Sequence, residues 1–128
     1  GYRAVLGEDL PDANVIYTGW NSGDGYQAMH QILAREIAFD GVLCGSDRIA
    51  AGVITALNEA GLSVPADVSV VGFDDHEIAA RCVPALTAVR QPLREEGHMA
   101  ANIALDMIKG AEPTTSVMHM QLIQRDSL

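Results

Sequence analysis

Short apolar runs, separated by a longer segment of helical periodicity, organise the middle of this chain. Val42, Leu43 and Cys44, and further on Val68, Val70, Val71 and Phe73, follow one another without strict alternation of apolar and polar positions. Runs of this kind are what strands buried on both faces look like, so Gly41–Cys44 and Val68–Phe73 read as central, parallel strands. Between them Ile49, Ala50, Val53, Ile54, Leu57 and Ala60 recur at helical spacing, which predicts a helix over Arg48–Ala60. Asp47 stands where a side-chain oxygen can cap its first turn, and Gly61 where a left-handed residue ends it. Asp40–Asp75 is therefore one βαβ unit.

The rest of the pattern fits around that unit. Gly1–Leu6 reads as the latter half of a helix, Pro11–Ala13 as a turn, and Asn14–Thr18 as a short β-branched and aromatic strand. The glycine-rich loop Gly19–Gly25 leads into a helix from about Asp24 to Arg35, capped by Ser22 or Asp24. His76–Arg81 reads as a helical turn, Cys82–Ala85 as a loop, Thr87–Arg90 as a brief strand and Leu93–Lys109 as a helix ended by Gly110. Met118, Met120 and Leu122 alternate with His119, Gln121 and Ile123, which predicts a strand over Val117–Gln124. Alternating strands and helices imply an α/β fold around a parallel sheet. In open sheets of that kind ligands bind beyond the carboxyl ends of the strands, which puts Ser46-Asp47 and Asp74-Asp75 at the functional edge.

Length and charge narrow the field. A chain of 128 residues suits one domain with a sizeable core. The net charge is −9, with seven arginines and one lysine and no basic patch. Such a surface is poorly suited to gripping a phosphate backbone, so any DNA contact falls to another segment. Cys44 and Cys82 form no CxxC pattern and read as free thiols of a cytosolic protein, with no redox or metal cofactor implied. No apolar run reaches the roughly 20 residues needed to cross a bilayer, and no signal peptide opens the chain.

Three segments carry a family resemblance. These are Gly45-Ser46-Asp47-Arg48-Ile49-Ala50-Ala51-Gly52, then Gly61 to Asp75 with its Val-Pro-Ala-Asp-Val-Ser-Val-Val-Gly-Phe-Asp-Asp run, then Pro84 to Pro92 with Leu86-Thr87-Ala88-Val89-Arg90-Gln91-Pro92. In order, spacing and residue type they resemble the effector-binding core of LacI/GalR-type bacterial transcription regulators, and the likeness covers nearly the whole chain. It implies a Rossmann-like lobe of a periplasmic-binding-protein-like type I fold, a parallel sheet with helices on both faces. Residues 1–83 and 117–128 would form the C-terminal lobe, and 84–116 a crossover segment belonging to the other lobe. The chain, which lacks an initiator methionine, would then be a fragment without its N-terminal lobe and helix-turn-helix head. The apolar stripe of Leu93–Ile108 would be left to fold back or to be covered by another copy. The resemblance also implies a sugar or nucleoside effector, operator DNA bound only through the missing head, a homodimer formed through Arg48–Ala60 and His76–Cys82, and a cytoplasmic location with no membrane partner.

Three residues stand out as ligand contacts. Trp20 is the only tryptophan, and its flat ring suits stacking on a pyranose or a base; the alternative is a loop residue packed over the core. Asp74 ends the second strand, where a carboxylate accepts hydrogen bonds from sugar hydroxyls, and the family has an effector-binding aspartate there. Ser46 stands where the family most often has asparagine, and it keeps a donor and an acceptor on a shorter arm. Asp47 reads instead as the cap of the helix that follows it, and Asp75 with His76-Glu77 as capping or starting the next helical turn. Adjacent residues cannot all face one ion, which argues against a metal at Asp74-Asp75-His76-Glu77. No nucleophile–base pairing, Gly-x-Ser-x-Gly or Walker motif suggests an enzyme. A periplasmic sugar-binding transport receptor of the same fold is the competing class.

Overall fold

The apolar run that stops at Asp74 becomes an inner strand, and the elements around it follow from what that strand must bury. The computed structural model describes Val5 and residues 12–128. The expected helix end at Gly1–Leu6 lies outside the described residues except for Val5, which is helical. After a 3-10 turn at Asp12–Asn14 come α1 (Ser22–Leu33), β1 (Gly41–Leu43), α2 (Asp47–Glu59), β2 (Ser69–Asp74), α3 (Glu77–Arg81), β3 (Thr87–Arg90), α4 (Leu93–Ile108) and β4 (Gln121–Ile123). The strands form one sheet in the order β1-β2-β3-β4. β1 and β3 flank β2 in parallel, with Val42 opposite Val70 and Gly72 opposite Ala88. β4 closes the far side antiparallel, with Leu122 opposite Val89.

The core lies between α2 and the sheet. Ile49, Ala50, Val53, Ile54 and Leu57 of α2 pack with Val68, Val70, Leu86 and Ala88 in one buried cluster. α1 stacks on the outside of α2, and glycines set how closely. A Cβ on Gly52 would run into the Ser22 carbonyl, and one on Gly25 into the Ile49 carbonyl. Each helix thus offers a glycine to the other's backbone, and no larger side chain fits without pushing the pair apart.

The chain end completes the sheet interior. Ser127 is fully buried; its hydroxyl donates to the Val70 carbonyl (2.6 Å) and accepts from the Thr87 N–H (2.8 Å), while its carbonyl accepts from the Val70 N–H (2.8 Å). It fills hydrogen-bonding sites that β2 and β3 leave open between them, where unpaired backbone groups would be costly.

Several expectations are corrected. Asn14–Thr18 is not a strand: residues 15–18 form no ladder and Tyr17 is exposed, because β propensity makes a strand only where a neighbour pairs with it. β1 is an edge strand with Leu43 half exposed, so its three-residue apolar run does not mark a central position. α1 begins at Ser22 and is capped by Asn21, whose side chain accepts from the Asp24 N–H while Asp24 answers the Asn21 N–H, a reciprocal capping box. Thr87–Arg90 pairs in parallel with β2 as an inner strand, and the chain leaves the sheet after Arg90. The last strand is confined to Gln121–Ile123. α4 has no buried residue and packs closely on no other element; Leu93 and Ile108 stand open at its ends, so the helix does not fold back.

Two substitutions should separate the close helix contact from open helix surface. Gly52→Ala is expected to destabilise by about 1–3 kcal/mol through overpacking, whereas Gly97→Ala, with nothing near its Cβ, should be neutral or stabilising by up to about 1 kcal/mol. Equal urea midpoints for the two variants would refute the backbone contact. Ser127→Ala should cost about 1–3 kcal/mol by leaving the Val70 and Thr87 groups unsatisfied, read in the same titration.

Candidate functional site

Two turns build the carboxyl edge of the sheet, one after β1 and one after β2. In the first, Ser46 is extended (φ −157°) and caps α2, its hydroxyl accepting from the Ile49 N–H at 3.3 Å. The cap is Ser46 and not Asp47, because Asp47 is already the first helical residue. The Ser46 hydroxyl hydrogen remains available to donate.

Asp47 does something else. It is 1% exposed, and its Oδ2 accepts from the His76 N–H of the second turn at 2.6 Å. Its Oδ1 is buried without a partner, lying where a Cβ on Gly72 would be. Burial pushes the Asp47 carboxyl above the usual carboxylate range; the His76 N–H opposes this, the charges of Asp74 and Asp75 add to it, and Arg125 counters. Burial, together with the Asp47 charge, also holds the Cys44 thiol at about 12, which makes it inert.

The second turn bends through left-handed backbone at two successive residues, Asp74 (φ 103°) and Asp75 (φ 57°). Aspartate is among the few residue types that enter this region often, and such strain gathers at functional sites. The bend sends the two carboxylates different ways. Asp74 Oδ1 accepts from the Gln91 side-chain amide at 2.5 Å, leaving its second oxygen free. Asp75, its side chain 4% exposed, is clamped between Arg125 and Arg90 at 2.6 Å each. Burial raises its pKa, but the two guanidinium groups more than offset this and hold it below the ordinary value. The expected cap role is therefore corrected: His76 occupies the cap position of α3, and Asp75 is structural through ion pairing.

The three residues singled out from sequence meet in one place. Trp20, Ser46 and Asp74 line a cavity of about 190 Å³, with Asp47, Arg48 and His76 completing the wall. Trp20 is 74% exposed, which excludes the alternative of a loop residue packed over the core. The cavity is smaller than the roughly 300–1,000 Å³ of a complete small-molecule pocket, as one wall of a cleft should be. A larger concavity, about 370 Å³, lies along α4 between Arg94 and Asn102, but it is a shallow groove on one unsupported helix, apart from the sheet edge. Sequence reasoning gave His76 only the role of capping or starting the helical turn after Asp75, where it does stand as the cap residue, and gave none to Arg48 or Gln91. Arg48 is flagged only by its place beside Asp47, and Gln91 by its place in the Leu-Thr-x-Val-x-Gln-Pro segment. Among the described residues no three His, Cys, Asp or Glu side chains gather as a metal set, and no helix is long and apolar enough to cross a membrane.

An aromatic ring, a hydroxyl and a half-free carboxylate thus converge beyond the strand ends of an α/β lobe, where open parallel sheets take their ligands. Comparison with known proteins makes this specific. The model of the periplasmic binding protein-like domain matches residues 1–128. The HTH-type transcriptional repressor PurR of Escherichia fergusonii is 39% identical over 100% of this chain, and that of Serratia proteamaculans 38% over 94%. The chain spans 39% and 36% of the length of those two relatives. Among solved structures, the transcriptional regulator CelR in complex with cellobiose superposes with a TM-score of 0.90 at 31% identity, covering 98% of this chain and 39% of that one. A sugar-binding LacI-family regulator of Escherichia coli complexed with phosphate gives 0.85 at 33%, covering 98% and 46%. The chain belongs to the periplasmic binding protein-like domain family, as the effector-binding domain of a LacI/GalR-type regulator. These relatives are transcription regulators, not transport receptors.

The two buried aspartates should pull stability in opposite directions with pH. Asp75, with its folded pKa lowered, stabilises fully above its unfolded value of about 3.9, and this is lost as pH falls through the folded value. Asp47, with its folded pKa raised, disfavours the fold at neutral pH and is relieved as it protonates. Asp75→Asn should therefore cost about 1–3 kcal/mol at pH 7, with the gap to the parent shrinking below about pH 4. A gap that stays constant in urea titrations from pH 7 to pH 3 would contradict the ion-pair account.

Proposed function

We propose that this chain forms one wall of an effector cleft in a transcription regulator, contacting a sugar or nucleoside through Trp20, Ser46 and Asp74, so that binding changes operator affinity. The carrying observation is the convergence of those three side chains on one cavity at the carboxyl edge of the sheet. Trp20 supplies a stacking face, Ser46 a hydroxyl donor, and the free oxygen of Asp74 an acceptor for ligand hydroxyls or N–H groups.

The remaining parts of the reading concern the whole protein. The unsupported α4 would cover its open side against a second lobe, which would close on the effector and so shift the balance of lobe arrangements. Operator DNA would be held by a segment outside this acidic chain. A solved relative is a lac repressor dimer bound to operator and the anti-inducer ONPF; a homodimer formed through α2 and α3 would carry the effector signal between two operator half-sites here. The protein would act in the cytoplasm as a binding protein, as its repressor relatives suggest.

Titrating Trp20 fluorescence of the full-length protein with a panel of sugars and nucleosides tests the site. One member should quench or enhance the signal and alter operator retention in a mobility-shift assay, while this chain alone shifts no operator. Asp74→Asn, which tolerates the same left-handed backbone, should weaken that ligand about 10-fold or more. A ligand that regulates the operator yet binds equally well to the Asp74 variant would sink the assignment.

A further inference from the structure

Resting on that reading, we infer that the effector carries an anionic group, a phosphate or a carboxylate, and that Arg48 binds it while Asp74 holds the ligand's hydroxyl or N–H end. Arg48 lines the cavity with Trp20, Ser46 and Asp74. It is exposed on the first turn of α2, directly after the buried Asp47.

The guanidinium is conspicuous for what it does not touch. Arg90 and Arg125 hold Asp75, and Arg81 holds Glu77. Arg48 makes no ion pair or side-chain hydrogen bond among the described residues, although two carboxylates share its cavity. Neither pairs with it: Asp47 is held elsewhere, facing the His76 N–H and packed under Gly72, and Asp74 has one oxygen bonded to Gln91 and the other left for the ligand. A free guanidinium fork beside a cavity suits two oxygens of one anion, which it can hold bidentately.

The surrounding charges allow it. Asp75, next in the chain to Asp74, is neutralised by its two arginines and adds little repulsion. His76 lines the same cavity, and an imidazole N–H is a donor suited to such oxygens. Arg48 and Asp74 lie beyond ion-pair distance of each other, so the ligand must have its acidic end and its hydrogen-bond-donating end on different atoms. Sugar phosphates, sugar acids and nucleotides meet that requirement; unsubstituted sugars offer Arg48 only neutral acceptors, without the charge-assisted bidentate pair.

Matched pairs decide it. Glucose, glucose 6-phosphate and glucuronate, and adenosine and adenosine 5′-monophosphate, would be titrated into the full-length protein by calorimetry at low and high salt. An anionic member should bind about 10-fold or more tightly than its neutral parent, with the preference shrinking at high salt. Arg48→Gln should abolish most of that preference, and Arg48→Lys should retain part of it. The phosphate and carboxylate arms identify which anion is read. A neutral parent that binds as tightly as its derivative, or a preference untouched by Arg48→Gln, overturns the inference while leaving the regulator reading intact through Trp20 and Asp74. Silence of every pair, with no change in operator binding, overturns both.

Discussion

A single buried carboxylate holds the ligand edge together. Asp47 reaches from the first turn of α2 to the backbone of His76, so the turn that carries Ser46 and the turn that carries Asp74 move as one piece. The contact works only because position 72 is glycine, which leaves room for the carboxylate between the sheet and the helix. A buried, partly unsatisfied acid disfavours folding by itself. Its persistence fits a part whose product is geometry: α2, β2 and the two turns are fixed relative to one another to within a hydrogen bond.

That rigidity explains how two adjacent acids come to do different work. Asp74 and Asp75 share a strained bend, and the strain is tolerated because neighbours on both sides over-determine it. Gln91 secures Asp74, and Arg90 and Arg125 secure Asp75. One carboxylate thereby joins β3 and the last turn to the site, while the other lines the cavity with a single oxygen bonded.

Local periodicity made much of this legible in advance. β2, α2 and β3 could be read because a run of branched residues or a 3.6-residue repeat is a property of the segment itself, and Gly61 does take the left-handed conformation expected of it (φ 79°). Ser46 and Asp74 could be brought together because strand polarity puts their turns at one sheet edge, whereas Trp20 stood out only by its flat ring in a glycine-rich loop. The failures lie where the outcome depends on distant partners. Residues 15–18 have strand-like composition but no ladder, and Ser46 and Asp47 are equally good caps until the helix start is fixed to one residue. The partners of Asp75 lie 15 and 50 residues away, beyond any local pattern.

Ser127 ties the interior of the sheet to a residue 57 positions beyond Val70 and 40 beyond Thr87. β2 and β3 are near neighbours in sequence and could pair early, yet their facing backbone groups stay unsatisfied until the last strand has crossed and returned. The domain's most local-looking parallel pair thus acquires a long-range closing step. A chain that has formed β2 and β3 but has not yet seated its final turn would hold a nearly complete ligand edge on an unsealed sheet.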